Sequence, residues 1–188
     1  MTHQDLIHGR LDGSLAAIGT LRAEIDRIDE IGKALIDRLA KGGTLFTAGN
    51  GGSAAQALHL AEEFIGRYRG RRRALRAVCL NADPTAMSCI ANDFGYDHVF
   101  ARQCEALLGP TDALLVLSTS GNSDNLVEAL GVARTRKALT VGLLGAGGGR
   151  CSSLCDHSVI LEETDSAFVQ DAHQVVLHLI CEMMEEGD

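Results

Sequence analysis

At 188 residues, with 46% hydrophobic and 22% charged content, the chain suits one folded domain with a full core and is short for two. A formal net charge of −8 excludes the basic surface that non-specific nucleic-acid binding needs, and no apolar run approaches the ~20 residues required to span a bilayer. Twenty-one glycines against two prolines, with 4% aromatic residues and no Trp, fit an α/β protein with Gly-rich turns better than an all-β or disordered one.

From the N-terminus, Leu6, Leu11, Leu15, Ile18, Leu21, Ile25, Ile28, Ile31, Leu35, Ile36 and Leu39 recur at steps of three and four. That period predicts amphipathic helix over residues 4–40, broken once near Gly13 or Asp26–Asp29. An apolar stripe ahead of an α/β core reads as assembly surface. Residues 1–30 mix charge throughout and lack the apolar stretch of a leader peptide. The six cysteines are scattered, and Cys151 and Cys155 form a C-x₃-C pair with no second pair nearby. No disulfide scaffold or zinc knuckle is expected, and a reducing cytoplasm is the expected compartment.

A strand over Thr44–Ala48 then runs into Gly49-Asn50-Gly51-Gly52-Ser53, and a helix over Ala54–Ile65 follows. Strand, Gly-rich turn and helix N-terminus together aim backbone N–H groups at an anion. Arg67, Arg69 and Arg71–Arg73 read as a solvated loop. A second strand is expected over Ala77–Leu80, and Pro84 opens a short helix that ends before Asn92. Another helix covers Val99–Leu108, and a third strand covers Ala113–Leu117. There the first pattern repeats: Ser118-Thr119-Ser120-Gly121-Asn122-Ser123 leads to a helix over Asp124–Arg134. Hydroxyls and an amide, with no Lys or Arg, suit a phosphomonoester held by neutral donors. A fourth strand over Leu139–Leu144 ends in Gly145–Gly149, which lacks the Lys-Ser/Thr ending of a nucleotide loop and reads as a flexible turn. A fifth strand over Ser158–Leu161 and a last helix over Ser166–Glu186 complete the chain. Alternating strands and helices imply a parallel sheet covered on both faces, with ligands beyond the strand C-termini. The expected organisation is a single domain over 1–188, with a helical segment over 1–40 and an α/β core over 41–188.

His59 and Glu63 are four apart on the first core helix and share a face. Gln170 and His178 are eight apart on the last helix, where His173 and Gln174 compete with Gln170 as companions of His178. His178 stands in an otherwise apolar run, and a buried His needs a partner or a function.

Taken in order, Ala48–Ser53, His59–Glu63, Gly66–Arg69, Ala91–Gly95, Ser118–Ser123 and Gln170–His178 resemble the phosphoheptose isomerases of the sugar-isomerase (SIS) domain superfamily, over nearly the whole chain. The resemblance implies a five-stranded parallel sheet flanked by helices, and a homotetramer with active sites where subunits meet. It implies conversion of sedoheptulose 7-phosphate to D-glycero-D-manno-heptose 7-phosphate through an enediol, toward nucleotide-activated heptose for lipopolysaccharide or other glycoconjugates. Glu63 would be the base and His178 its acid/base partner. One zinc per subunit would be held by His59, Glu63, Gln170 and His178. Ser53, Ser118, Thr119, Ser120 and Ser123 would hold the phosphate or nearby hydroxyls. Asn50, Gly51, Gly52, Asn92 and Asp93 would line the sugar site, with Glu63, Arg67 and Gln170 also touching substrate. No nucleic acid or membrane partner is implied.

Two features depart from the family pattern. Phe168 stands where relatives often place Arg, and the loop after Arg69 is unusually Arg-rich. Rival readings are a non-catalytic SIS protein that binds a replication initiator, which would lack the acid/base pair, and an isomerase for another sugar phosphate.

Overall fold

In the computed structural model, which describes residues 1–186, two helices precede the sheet. These are α1 (His3–Thr20) and α2 (Ile25–Ala40), joined by a 3₁₀ turn over Leu21–Glu24. Thr2 caps α1 in a reciprocal capping box with Asp5. The helical break thus lies between the two expected places. Gly13 is an interior helical position, and a side chain there would collide with the Phe168 ring. The glycine is kept for close approach to the last helix rather than for a bend.

Five parallel strands follow in the order β2-β1-β3-β4-β5. They are β1 (Leu45–Gly49), β2 (Ala77–Cys79), β3 (Ala113–Ser118), β4 (Leu139–Leu144) and β5 (His157–Ile160). Around them lie α3 (Gly52–Ile65), α4 (Pro84–Phe94), α5 (Ala101–Leu107), α6 (Asp124–Thr135), the single turn α7 (Gly149–Ser152) and α8 (Ser166–Glu186). Every residue of β1, β3 and β4 is buried. Alternate side chains of β3 therefore enter opposite cores, as a strand between two helical layers requires. Ala113, Leu115 and Leu117 pack with α2, α3 and α8, whereas Leu114 and Val116 pack with α5 and α6.

Two expectations shift. The helix after Pro84 continues through Asn92 and Asp93 and stops only at Gly95, whose φ of 91° ends it. The Gly145–Gly149 run is a turn, as expected, but it packs tightly against the second loop. Gly121 has a φ of 64°, and a Cβ there would strike the Gly148 carbonyl. The Cys151 N–H donates to the Gly121 carbonyl at 2.8 Å, and the Arg150 N–H to Asn122 Oδ1 at 3.0 Å. These glycines let two backbones touch, which braces the loop after β3. The six cysteines are free. Among the described residues, no helix is long and apolar enough to cross a membrane. Leu6, Ile7, Leu11 and Leu15 leave one side of α1 exposed and apolar.

Candidate active site

At the C-terminal ends of β1 and β3 the two polar loops enclose a cavity of about 120 Å³, lined by Asn50, Ser53, Leu117, Ser118, Thr119, Ser120, Ser123, Ser166 and Gln170. No Lys or Arg is among them. In their place, the N-terminal ends of α3, α6 and α8 all open here, carrying Ser53, the N-cap Ser123 and Ser166. Converging helix N-termini supply partial positive charge. Gly51 turns the chain with a φ of 56°. A Cβ on Gly52 would lie 2.6 Å from Gln170 Nε2, so glycine there admits α8. Asn50 and Asn125 exchange amide hydrogen bonds at 2.9 Å, and the Tyr96 hydroxyl donates to Asn50 Oδ1 at 3.1 Å. The Gly121 N–H donates to Ser118 Oγ, and the Thr119 and Ser166 hydroxyls pair at 3.1 Å. Ser123 precedes α6 without a side-chain capping bond, which leaves its hydroxyl for a guest.

Two polar stripes leave this cavity along facing helices. On α3 the stripe is Ser53, Gln56, His59 and Glu63, running ~15 Å along the axis. On α8 it is Ser166, Gln170, Gln174 and His178, each four residues on, over ~18 Å. The stripes meet at their far ends. Glu63 Oε1 lies 3.1 Å from His59 Nε2, and the Gln174 amide nitrogen lies 3.0 Å from both His59 Nδ1 and His178 Nε2. The two imidazoles stand edge to face with centroids 5.6 Å apart, and Tyr68 stacks on His178 at 5.2 Å.

The Arg-rich loop braces this end. Arg72 donates to the carbonyls of Glu63 and Phe64, closing the C-terminus of α3, where orphan carbonyls attract a cation. Arg72 is thus a helix cap and not a solvated side chain. Glu185 accepts the backbone N–H groups of Tyr68, Arg69 and Gly70 at 3.1, 2.9 and 2.8 Å. The Gly70 N–H foremost, with those of Arg69 and Tyr68, holds its carboxyl below the usual glutamate range. Cys181 is no nucleophile here: burial first, then the neighbouring Glu63 carboxylate, pushes its thiol up to about 12.

Several expected residues therefore come together, and others do not. Asn50, Ser53, Ser118, Thr119, Ser120, Ser123 and Gln170 share the cavity, while His59, Glu63 and His178 share the cluster. Of the expected ligand set of His59, Glu63, Gln170 and His178, the cluster brings together His59, Glu63 and His178, and Gln170 lines the adjoining cavity on the same face of α8. One helical turn separates Gln170 from Gln174, which holds the position between the rings. Asn92 donates to Asp93 at 2.8 Å, and both are exposed on the last turn of α4, outside the cavity lining. Arg67 is likewise exposed and donates to the Arg69 carbonyl. Phe168 sits beneath Gly13 with the Arg10 guanidinium 4.8 Å above its ring, and Arg10 pairs with Asp171 at 2.7 Å. A cation thus returns beside position 168 from another helix. Ser166, Gln56 and Asn125 are additions to the expected site residues, and Tyr68 falls within the Gly66–Arg69 motif. For Ser166 the signal was present in the four-residue period of Ser166, Gln170, Gln174 and His178.

His59, Glu62 and Glu63 each offer a ligand atom, all within 4.8 Å of one another. Imidazole beside carboxylates is a donor set that fits a divalent cation.

The SIS domain family model matches residues 15–145. A phosphoheptose isomerase of Trichlorobacter lovleyi is 40% identical over 185 residues, covering 98% of this chain and 94% of its own. Phosphoheptose isomerase 1 of Campylobacter jejuni is 43% identical over 161 residues, covering 86% and 87%. This chain belongs to the phosphoheptose isomerases of the SIS domain family. Solved family members superpose closely. That of Francisella tularensis gives a TM-score of 0.95 at 28% identity, covering 99% of this chain and 100% of its own. That of Neisseria gonorrhoeae gives 0.91 at 31% identity, covering 98% and 100%.

Proposed function

We propose that the chain interconverts sedoheptulose 7-phosphate and D-glycero-D-manno-heptose 7-phosphate. The observation that carries this reading is the pair of polar stripes, which join an anion cavity to a carboxylate and two imidazoles. The phosphate ester binds among Ser53, Ser118, Thr119, Ser120 and Ser123, and the sugar lies along the stripes toward Glu63. Glu63 takes a proton from C1 of the ketose as O2 gains one, which gives the enediol. Glu63 then returns its proton to C2 while the O1 proton leaves, and the C1 aldehyde forms. His178 serves the two oxygens. Proton transfer and stabilisation of the developing oxyanion each contribute about 10²–10⁴-fold in such sites. A non-catalytic binding protein has no use for this pair, and its presence favours an enzyme.

His59, Glu63, Gln170 and His178, the set the family resemblance implies, would hold zinc, one per subunit. Bound there, zinc supplies Lewis-acid polarisation of the carbonyl oxygen. The exposed apolar side of α1 suits a homotetramer. Asn92, Asp93 and Arg67, exposed and off their own cavity, suit sites completed by a neighbouring subunit. The expected setting is the cytoplasm, in the supply of activated heptose for lipopolysaccharide or other glycoconjugates.

The test is turnover of sedoheptulose 7-phosphate by purified protein, with and without a chelator, following solvent deuterium entering the product at C2. Aldose formation with exchange is expected. A folded protein that binds the sugar phosphate without turnover or exchange overturns the reading. Activity undiminished by complete metal removal makes zinc incidental.

A further inference from the structure

Asn125 is the second residue of α6, with only 3% of its surface exposed. It does not line the ester cavity, yet its amide is joined to a residue that does. Asn50 Nδ2 donates to Asn125 Oδ1 and Asn125 Nδ2 donates to Asn50 Oδ1, both at 2.9 Å. Two carboxamides facing each other in this way close a ring in which each gives and takes one hydrogen bond. Exchanging N and O in both amides together reproduces the ring, so the pairing does not depend on which way they are turned. The partners come from different parts of the chain. Asn50 stands in the loop after β1, followed by Gly51 and Gly52, which offer no side chain to hold it. Asn125 lies directly behind the loop after β3, whose Ser118, Thr119, Ser120 and Ser123 line the cavity. The ring is thus a cross-tie between the two loops that enclose the anion. Tyr96 adds an exposed bond to the same Asn50 oxygen from the 3₁₀ turn that follows α4.

We infer that Asn125 is a positioning residue for the ester cavity: it acts through Asn50, holding the first loop at the distance from α6 at which the hydroxyls of both loops meet one anion. This rests on the proposed reading of that cavity as the seat of the ester, and deepens it. Neither capping nor packing accounts for Asn125. The N-cap of α6 is Ser123, and an apolar side chain would fill a buried position at lower cost, since a buried amide must find partners. A shorter or apolar residue forfeits both bonds of the ring. The chemistry of the cavity explains why spacing matters so much here. Its lining has no Lys or Arg, so an anion is held by neutral donors that must all be in range at once. A point charge tolerates drift, because Coulomb attraction falls only slowly with distance. A hydrogen bond fails within a few tenths of an ångström beyond its ordinary length. A cavity built from hydroxyls and helix ends therefore needs its two walls tied together, and the amide ring is the tie.

The test is calorimetric binding of inorganic phosphate and of sedoheptulose 7-phosphate to wild type, Asn125→Ala, Asn50→Ala and the double variant, with kcat and KM measured alongside. Asn125→Ala should weaken both ligands about tenfold, the value of one hydrogen bond to a charged group. KM should rise with kcat held, as when binding common to ground and transition states is removed. Asn50→Ala should cost at least as much, and the double variant no more than Asn50→Ala, because Asn125 acts only through Asn50. Two losses that multiply, to about a hundredfold in the double variant, overturn the inference. So does unchanged phosphate binding in a folded Asn125→Ala protein, or a fall in kcat at constant KM. One measurement needs no variant at position 125 to fold: in the wild type, the Asn50 carboxamide protons should be slowed in exchange with solvent. Exchange at the rate of a free side chain overturns the ring. If phosphate binding follows the stated pattern in a protein that does not turn over the sugar phosphate, the function fails and the positioning stands.

Discussion

The ester cavity and the histidine–carboxylate cluster lie at opposite ends of the same two helices, yet they are built in different ways. The cavity is local. Consecutive residues after β1 and β3 supply its hydroxyls, glycines place its backbone, and helix N-termini provide its field. The cluster is non-local. It exists only because α8, over a hundred residues later, packs beside α3 in a register that puts Gln174 between His59 and His178. Binding groups can be fixed by a strand, a turn and a helix start, whereas reacting groups here depend on how two helices dock.

The sharpest way to break the comparison is at Glu63. Glu63→Gln should cut turnover by about 10²–10⁴-fold while sugar-phosphate affinity, measured by calorimetry, stays within a few-fold. A joint loss of both would mean that the two ends are not separable.

The scaffold between them is tested at His173, which is fully buried, with neither ring nitrogen in hydrogen-bond geometry to a partner among the described residues. Burial pushes its pKa down to about 4, opposed by the Leu144 backbone. An unfolded histidine protonates near 6.5. Between those values the unfolded state binds more protons, so stability falls as pH drops from about 6.5 to about 4, by about 3 kcal/mol for this residue. His173→Leu should flatten that part of the curve, as read by chemical denaturation at pH 7 and pH 4.5. An identical pH slope in variant and wild type would refute it.

The smallest expected effect is at the ester. Ser123→Ala should raise KM about tenfold, the value of one hydrogen bond to a charged group, with kcat unchanged. A fall in kcat at constant KM would place Ser123 with the reacting groups instead.

The sequence was most readable where structure is local. The two loops, the strand positions to within a residue or two, and the Asp83–Pro84 helix start all follow from short-range chemistry. The helical break after α1 was misplaced because Gly13 answers to Phe168, a contact with no local signature. Arg72 was read as solvated because its acceptors, the last carbonyls of α3, are visible only once the loop folds back. Spacing alone left Gln170 and Gln174 both open as companions of His178, and only the docking of α8 on α3 shows that Gln174 touches both rings. One helical turn, 5.4 Å in an ideal helix, separates a side chain that lines the cavity from one that bridges the imidazoles.

Because both stripes rise by a fixed ~1.5 Å per residue, the pair of helices also acts as a ruler. A ligand gripped by its ester at the shared N-terminal end presents its carbonyl wherever its carbon chain runs out. On the proposed function, a sugar phosphate one or two carbons shorter than a heptose, seated by the same serines, would stop before it reaches the carboxylate. Chain length would thus be read by where side chains stand along the two helices.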